Sequence, residues 1–228
     1  MNIKEFTLKT IRALVTGVLG YPTDRGIDES RVQYFNEEAN EFVYRQIVEA
    51  LQKGKGFALG KFGTVELGCI VSCHCQGKWK KNDYINFLRG YPVPLFYDKE
   101  IMRMQNNAGL FPATKDMADR FCKMMELDMK QIDILASYAW CERYVCDDIV
   151  QCSTVNLDGY YAPFLFENPW TRILEGKRVL VIHPFADSIK KQYEKRKQLF
   201  NNPHVLPTFQ SLRIIKAVQS IAGNRCEY

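Results

Sequence analysis

The chain has 228 residues, enough to bury a substantial core in one large α/β domain but tight for two independent ones. Its 46% hydrophobic and 25% charged residues exclude a disordered chain or a coiled coil, and a net charge of +5 favours an anionic ligand without requiring one. No run approaches the roughly 20 apolar residues of a membrane span, and eight cysteines scattered through a domain of this size read as reduced thiols, so the expected compartment is the cytoplasm.

The first predicted element is an amphipathic helix. Ile3, Phe6, Ile11, Leu14, Val15 and Val18 are spaced along one helix face and are not fused into a signal-peptide core. Such a face suits the inner surface of a membrane or a partner, so the chain is either free in the cytoplasm or peripheral to that surface. Gly20 to Gly26 is a turn-rich connector leading to a second helix, capped near Asp28 or Ser30. Phe35, Ala39, Phe42, Val43, Ile47, Ala50 and Leu51 form its buried stripe, and Gly54 is its stop. Residues 1–54 thus read as a helical segment packed on a main domain covering 55–228, the whole forming one compact unit.

A short strand at Phe57 to Leu59 leads into the turn Gly60-Lys61-Phe62-Gly63-Thr64, with Glu66 at the start of a helix running to about Gly77. The Lys78-Trp-Lys-Lys-Asn82 segment is polar, and Tyr91-Pro-Val-Pro94 is extended or turning because each proline disfavours helix before it. A helix from Asp98 to Asn106 ends at Asn106-Asn107-Ala-Gly109, and Thr114 caps another that carries Met117, Phe121, Met124 and Met125. Ile132 to Tyr138 reads as a strand and Arg178 to His183 as a second. Between them lies an aromatic passage, Tyr160 to Trp170, in which Asn168-Pro169 has the form of a helix start. After His183-Pro-Phe-Ala-Asp187 a helix places Ile189, Tyr193 and Phe200 on one side, and Leu212 to Val218 suits strand or helix equally. The alternation implies an α/β fold, a mostly parallel sheet with helices on both faces.

In such sheets ligands gather at the carboxyl ends of strands, where helix N-termini expose unpaired N–H groups. The Gly60 to Glu66 turn qualifies: its glycines permit close backbone approach, and Thr64 can cap the helix. Glu66 has two readings, a carboxylate stabilised by the helix dipole or a ligand contact. A diphosphate bound there would be repelled by Glu66 unless a divalent cation bridged them, a role for Mg²⁺ or Mn²⁺. The His183 to Asp187 turn is the second candidate, with His183 as base or phosphate contact and Asp187 as a cap. Asn106 and Asn107 can hydrogen-bond a sugar or base, or serve as a turn.

Cys69, Cys73, His74 and Cys75 lack a distal pair at structural-zinc spacing. The basic stretch Lys190, Lys191, Lys195, Arg196 and Lys197 reads as a solvated helix face, and no nucleic-acid motif accompanies it. GxGxxG, Walker and GxSxG motifs are absent, which argues against a dehydrogenase, a P-loop NTPase and an α/β-hydrolase.

Lys61-Phe-Gly-Thr-Val-Glu66 resembles the Arg-Phe-Gly-Asp-X-Glu turn of bacterial GT-D-type glycosyltransferases. Asn106-Asn107-Ala-Gly-Leu-Phe-Pro112, the passage from Tyr161-Ala-Pro-Phe to Asn168-Pro-Trp170, and Val181-Ile-His-Pro-Phe-Ala-Asp187 also resemble this group, in the same order. The resemblance implies a Rossmann-like enzyme that transfers a sugar from a nucleotide-diphosphate donor to a glycan or lipid-linked acceptor. It places Glu66 and Thr64 near a divalent metal, with Thr64 standing where the motif has Asp. The donor site would comprise Gly60, Lys61, Phe62, Gly63, Thr64, Asn106, Asn107 and Asp187, with Glu66 and His183 in catalytic roles. Relatives of this kind continue into a further helix, strand and glycine turn, so the sheet is expected to be incomplete at the C-terminus. The alternative is a non-catalytic binding or scaffold protein of the same fold.

Overall fold

A computed structural model describes residues 3–21, 26–27, 30, 32–136, 139–151, 153–155 and 162–217. Asp28, Tyr138, Tyr160, Tyr161 and Val218 lie outside them. The fold is mixed α/β with short parallel strand pairs, in two compact units: one built from Met1–Val32 and Leu59–Thr154, the other from Gln33–Ala58 and Val155–Gln219.

The first unit carries α1 (Ile3–Leu19), β1 (Leu59–Gly60), α3 (Thr64–His74), α4 (Lys81–Leu88), α5 (Tyr97–Ala108), α6 (Lys115–Met129), β2 (Ile134–Ala136) and β3 (Ser153–Val155), whose last residue falls at the unit boundary. β1 runs parallel to β2, with Leu59 opposite Ile134 and Gly60 opposite Leu135, and the sheet order is β1-β2-β3. α3 is the central element. Leu67 through Ser72 are buried, because the middle of the helix is largely apolar and is enclosed by α5, α6 and the helical turn Trp140–Glu142. One core groups Phe62, Leu67, Ile70, Leu135 and Trp140; a second, between α3, α5 and α6, groups Cys69, Ile101, Met104 and Cys122.

Local chemistry explains several boundaries. α6 begins where the Thr114 hydroxyl accepts the Met117 N–H at 3.3 Å, the expected cap. α5 extends through Asn106 and Asn107 to Ala108 and ends on Gly109 in the left-handed region at φ 72°, so the asparagines occupy the last helical turn. α4 forms in a stretch expected to be merely polar: the Asp83 carboxylate accepts the Lys80 N–H at 2.7 Å, satisfying a donor at the helix start.

The second unit carries α2 (Glu37–Gln52), β4 (Arg178–His183), the helix Ala186–Glu194 and β5 (Ser211–Lys216). α2 is capped not near Asp28 or Ser30 but by Asn36, whose side chain accepts the Ala39 N–H at 2.9 Å; Ser30 lies in a turn. Its stop at Gly54, left-handed at φ 63°, is as expected. Asn168-Pro169 does not open an α-helix; Pro169 precedes a 3-10 turn over Trp170–Leu174.

Leu212 to Lys216 is strand because β4 offers it a parallel partner in full register, from Arg178 opposite Ser211 to His183 opposite Lys216. The helix Ala186–Glu194 packs on β4 and β5. Val179, Val181, Leu212 and Ile214 are half-buried, whereas Leu180 and Ile182 are exposed. Parallel pairing joins β1 to β2 and β4 to β5, in two sheets.

Candidate functional site

The Gly60 to Glu66 turn joins the carboxyl end of β1 to the first turn of α3. Phe62 anchors it: the ring is buried in the core beside Leu67 and Leu135, so this residue holds the turn and does not offer its side chain to a ligand. Gly60 packs on Ile132, and an added Cβ would meet Cδ1 of that residue at 3.4 Å. Lys61 and Thr64 are exposed on either side of the buried ring.

Gly63 is the cap of α3, in extended conformation, and no side chain caps the helix. Thr64 is the first helical residue, not the cap expected of it. The opening N–H groups of α3 therefore donate to no capping side chain and carry the positive end of the helix dipole. Glu66, in the first turn and half-buried, folds back over Gly63, where a Cβ would lie 2.1 Å from its Oε2. The glycine makes room for the carboxylate. A carboxylate, a hydroxyl, a lysine and a row of N–H groups are therefore presented by seven consecutive residues.

Thr64 and Glu66 are the two oxygen donors this turn offers a metal. Among the described residues no group of three or more His, Cys, Asp or Glu side chains is placed to hold one. Mg²⁺ and Mn²⁺ are commonly held by one or two carboxylates, with phosphate oxygens and water completing the shell.

Asn106 and Asn107 are exposed at the end of α5, where Asn107 Nδ2 donates to the Arg103 carbonyl at 3.2 Å. His183 and Asp187 belong to the second unit. His183 ends β4, and its Nδ1 accepts the Phe185 N–H at 3.1 Å, so the histidine satisfies the turn. Asp187 does not cap the following helix; it is exposed in the first turn, 3.9 Å from the Lys216 ammonium. The first unit thus assembles Gly60 through Glu66, while His183 and Asp187 form a separate strand-end group.

Sequence reasoning missed three polar clusters in the first unit. Glu100, with a side chain only 5% exposed, accepts from Arg103 Nη1 at 2.7 Å and fills the space beside Gly68, where a Cβ would lie 2.7 Å from Oε2. Burial pushes the Glu100 carboxyl above its ordinary range, against the opposing pull of Arg103. His74 lies between Glu126 and Asp148, each ring nitrogen 3.2 Å from a carboxylate oxygen. The Tyr97 hydroxyl donates to Asp119 at 2.8 Å and meets Cys122 Sγ at 3.8 Å, while Lys115 donates to Asp119 at 2.6 Å. A hydrogen bond with Cys122, followed by burial, raises the Cys73 thiol. Cys69 and Cys73 both lie beside Cys122 in the second core, whereas Cys75 belongs to the first and His74 faces Glu126 and Asp148. The signal available beforehand was Gly68, a glycine inside an otherwise apolar helix, which implies close approach by a neighbour.

Comparison with protein families, with curated proteins and with solved structures returns no match.

Proposed function

We propose that the chain is a Rossmann-like glycosyltransferase acting on a nucleotide-diphosphate sugar, with a glycan or lipid-linked acceptor. The observation that carries this reading is the Glu66 carboxylate folded over Gly63 at the uncapped start of α3, directly beyond a parallel strand. The N–H groups of that turn receive the diphosphate, and Lys61 adds a positive charge beside it. Glu66 and Thr64 would hold a divalent cation, which would supply positive charge against the departing diphosphate. In the transfer, the bond from the sugar's anomeric carbon to the diphosphate breaks with its electron pair on the leaving group. The acceptor oxygen bonds to that carbon and gives up its proton to solvent water. Asn106 and Asn107, at the end of α5 in the same unit, are the further polar groups assigned to this reaction, each to be tested by alanine substitution.

A second reading, a nucleotide-sugar-binding protein without turnover, rests on Thr64, whose neutral hydroxyl stands where the resembled motif has a carboxylate. Calorimetry with nucleotide-sugars, with and without Mn²⁺, followed by a donor-hydrolysis assay on wild type and Glu66→Ala, separates the two. Metal-dependent turnover lost in Glu66→Ala establishes the enzyme. Binding without turnover establishes the second reading, and no binding overturns both.

A further inference from the structure

The charged residues of α1 contact the protein, while most of its large apolar residues face away from it. Lys4 lies over the Tyr84 ring at 5.2 Å, Lys9 over Phe96 at 5.7 Å and Arg12 over Phe87 at 4.7 Å, and Arg12 also donates to the Gly90 carbonyl at 3.0 Å. Lys9 further pairs with Glu5. The residues leaning on the unit are Glu5, Leu8, Lys9, Arg12, Val15 and Thr16, all half-buried, and no residue of α1 is fully buried.

On the opposite face stand Ile3 at 83% exposure, Phe6 at 57%, Ile11 at 39%, Leu14 at 61% and Val18 at 79%. With 3.6 residues per turn these five fall within one half of the helix circumference, and no charged side chain lies among them. The two threonines on that face keep their hydroxyls within the helix: Thr7 donates to the Ile3 carbonyl at 2.9 Å and Thr10 to the Phe6 carbonyl at 3.0 Å. Their methyl groups are left as the outward surface. A helix meant for water would present the reverse arrangement, since each large apolar side chain left exposed forgoes its burial free energy.

The surrounding charge indicates what covers this face. The first turn of α1 shares an open cavity of about 430 Å³ with the loop that follows α3, and Lys4, Gln76, Gly77, Trp79, Tyr84 and Asp98 line it. That loop continues through Lys78, Lys80 and Lys81, all exposed. Lys4, Lys78, Lys80 and Lys81 outweigh Asp98 on this flank, and their excess positive charge suits an anionic surface. We infer that α1 lies flat on an anionic lipid bilayer, its Ile3, Phe6, Ile11, Leu14 and Val18 face inserted and Lys78, Lys80 and Lys81 against the headgroup phosphates. The helix is about 25 Å long, and no helix among the described residues is long and apolar enough to cross a membrane, so the contact is parallel to the surface. This inference stands on α1 alone and is independent of the reaction.

Co-sedimentation of the full chain with vesicles of phosphatidylcholine, alone or with about one third phosphatidylglycerol, tests it. The chain is expected to sediment with the anionic vesicles. The Leu14→Asp, Val18→Asp double variant is expected to partition about a hundredfold more weakly, with an unchanged circular-dichroism melt because both positions are exposed. Lys78→Glu, Lys80→Glu and Lys81→Glu together are expected to reduce binding to the level seen on neutral vesicles. Failure to bind anionic vesicles, or binding unaffected by the aspartates, overturns the inference. A solution dimer that Leu14→Asp dissociates, in a chain that ignores vesicles, assigns the face to a second copy instead.

Discussion

The Glu66 carboxylate occupies the space a side chain at Gly63 would need, with Oε2 at 2.1 Å from the position of a Cβ. Gly63 itself has φ −67° and ψ 145°, a conformation open to any residue, so it is the neighbour and not the backbone that demands glycine here. Gly63→Ala is expected to swing the flexible Glu66 side chain outward at a stability change under about 1 kcal/mol. Nucleotide-sugar affinity in the presence of Mn²⁺ is expected to fall about tenfold. Calorimetry beside a thermal melt checks both; an unaltered affinity would separate Glu66 from the ligand.

Asn40 is fully buried in the second unit, where its Nδ2 donates to the Asn168 carbonyl at 2.9 Å and its Oδ1 accepts the Trp170 N–H at 2.8 Å. One side chain thereby satisfies both sides of the chain entering the 170–174 turn. Asn40→Ala is expected to destabilise the protein by about 2–3 kcal/mol, because two interior backbone groups lose a partner. Asn40→Asp is also expected to destabilise, since it keeps the acceptor but removes the donor and buries a charge. Urea unfolding midpoints give the comparison.

Glu100 sets a pH dependence. Burial raises its folded-state pKa above the ordinary 4.5. An acid whose folded pKa is raised contributes stability that is complete below the unfolded pKa and is lost as pH rises through the folded value. Stability attributable to this residue is therefore expected to decline from about pH 4.5 upward and then level off. Glu100→Gln cannot ionise, and its unfolding midpoint is expected to lack that component. Parallel urea titrations across pH check the difference, and superimposable profiles would refute it.

The buried thiols are predicted to be inert. Burial pushes Cys75 up to about 11 and Cys141 up to about 12, and a hydrogen bond to Cys69 raises Cys122 to about 12. Thiolate is the reactive form, so at about pH 8 each is expected to react with an aromatic disulfide reagent at under about 1% of the rate of an exposed cysteine. Mass mapping after timed labelling reads this site by site, and labelling as fast as in urea would contradict it.

Much of the local structure was legible in the residues themselves. The Gly54 stop, the Thr114 cap, the β4 limits and the turn from Gly60 to Glu66 follow from short-range preferences that act within a few residues. The oxygen and nitrogen groups of the candidate site were legible for the same reason, since they lie on one continuous turn. Tertiary structure decided the remainder. Periodicity marks a face of α1 as apolar but says nothing of what lies against it, and packing on α4 turned the charged side inward. Leu212 to Lys216 needed β4 as a partner to become strand. Phe62 became an anchor and Glu100 a buried acid only once α3 had neighbours. These outcomes depend on groups distant in the chain, and the burial and dielectric that set them exist only after the chain has packed.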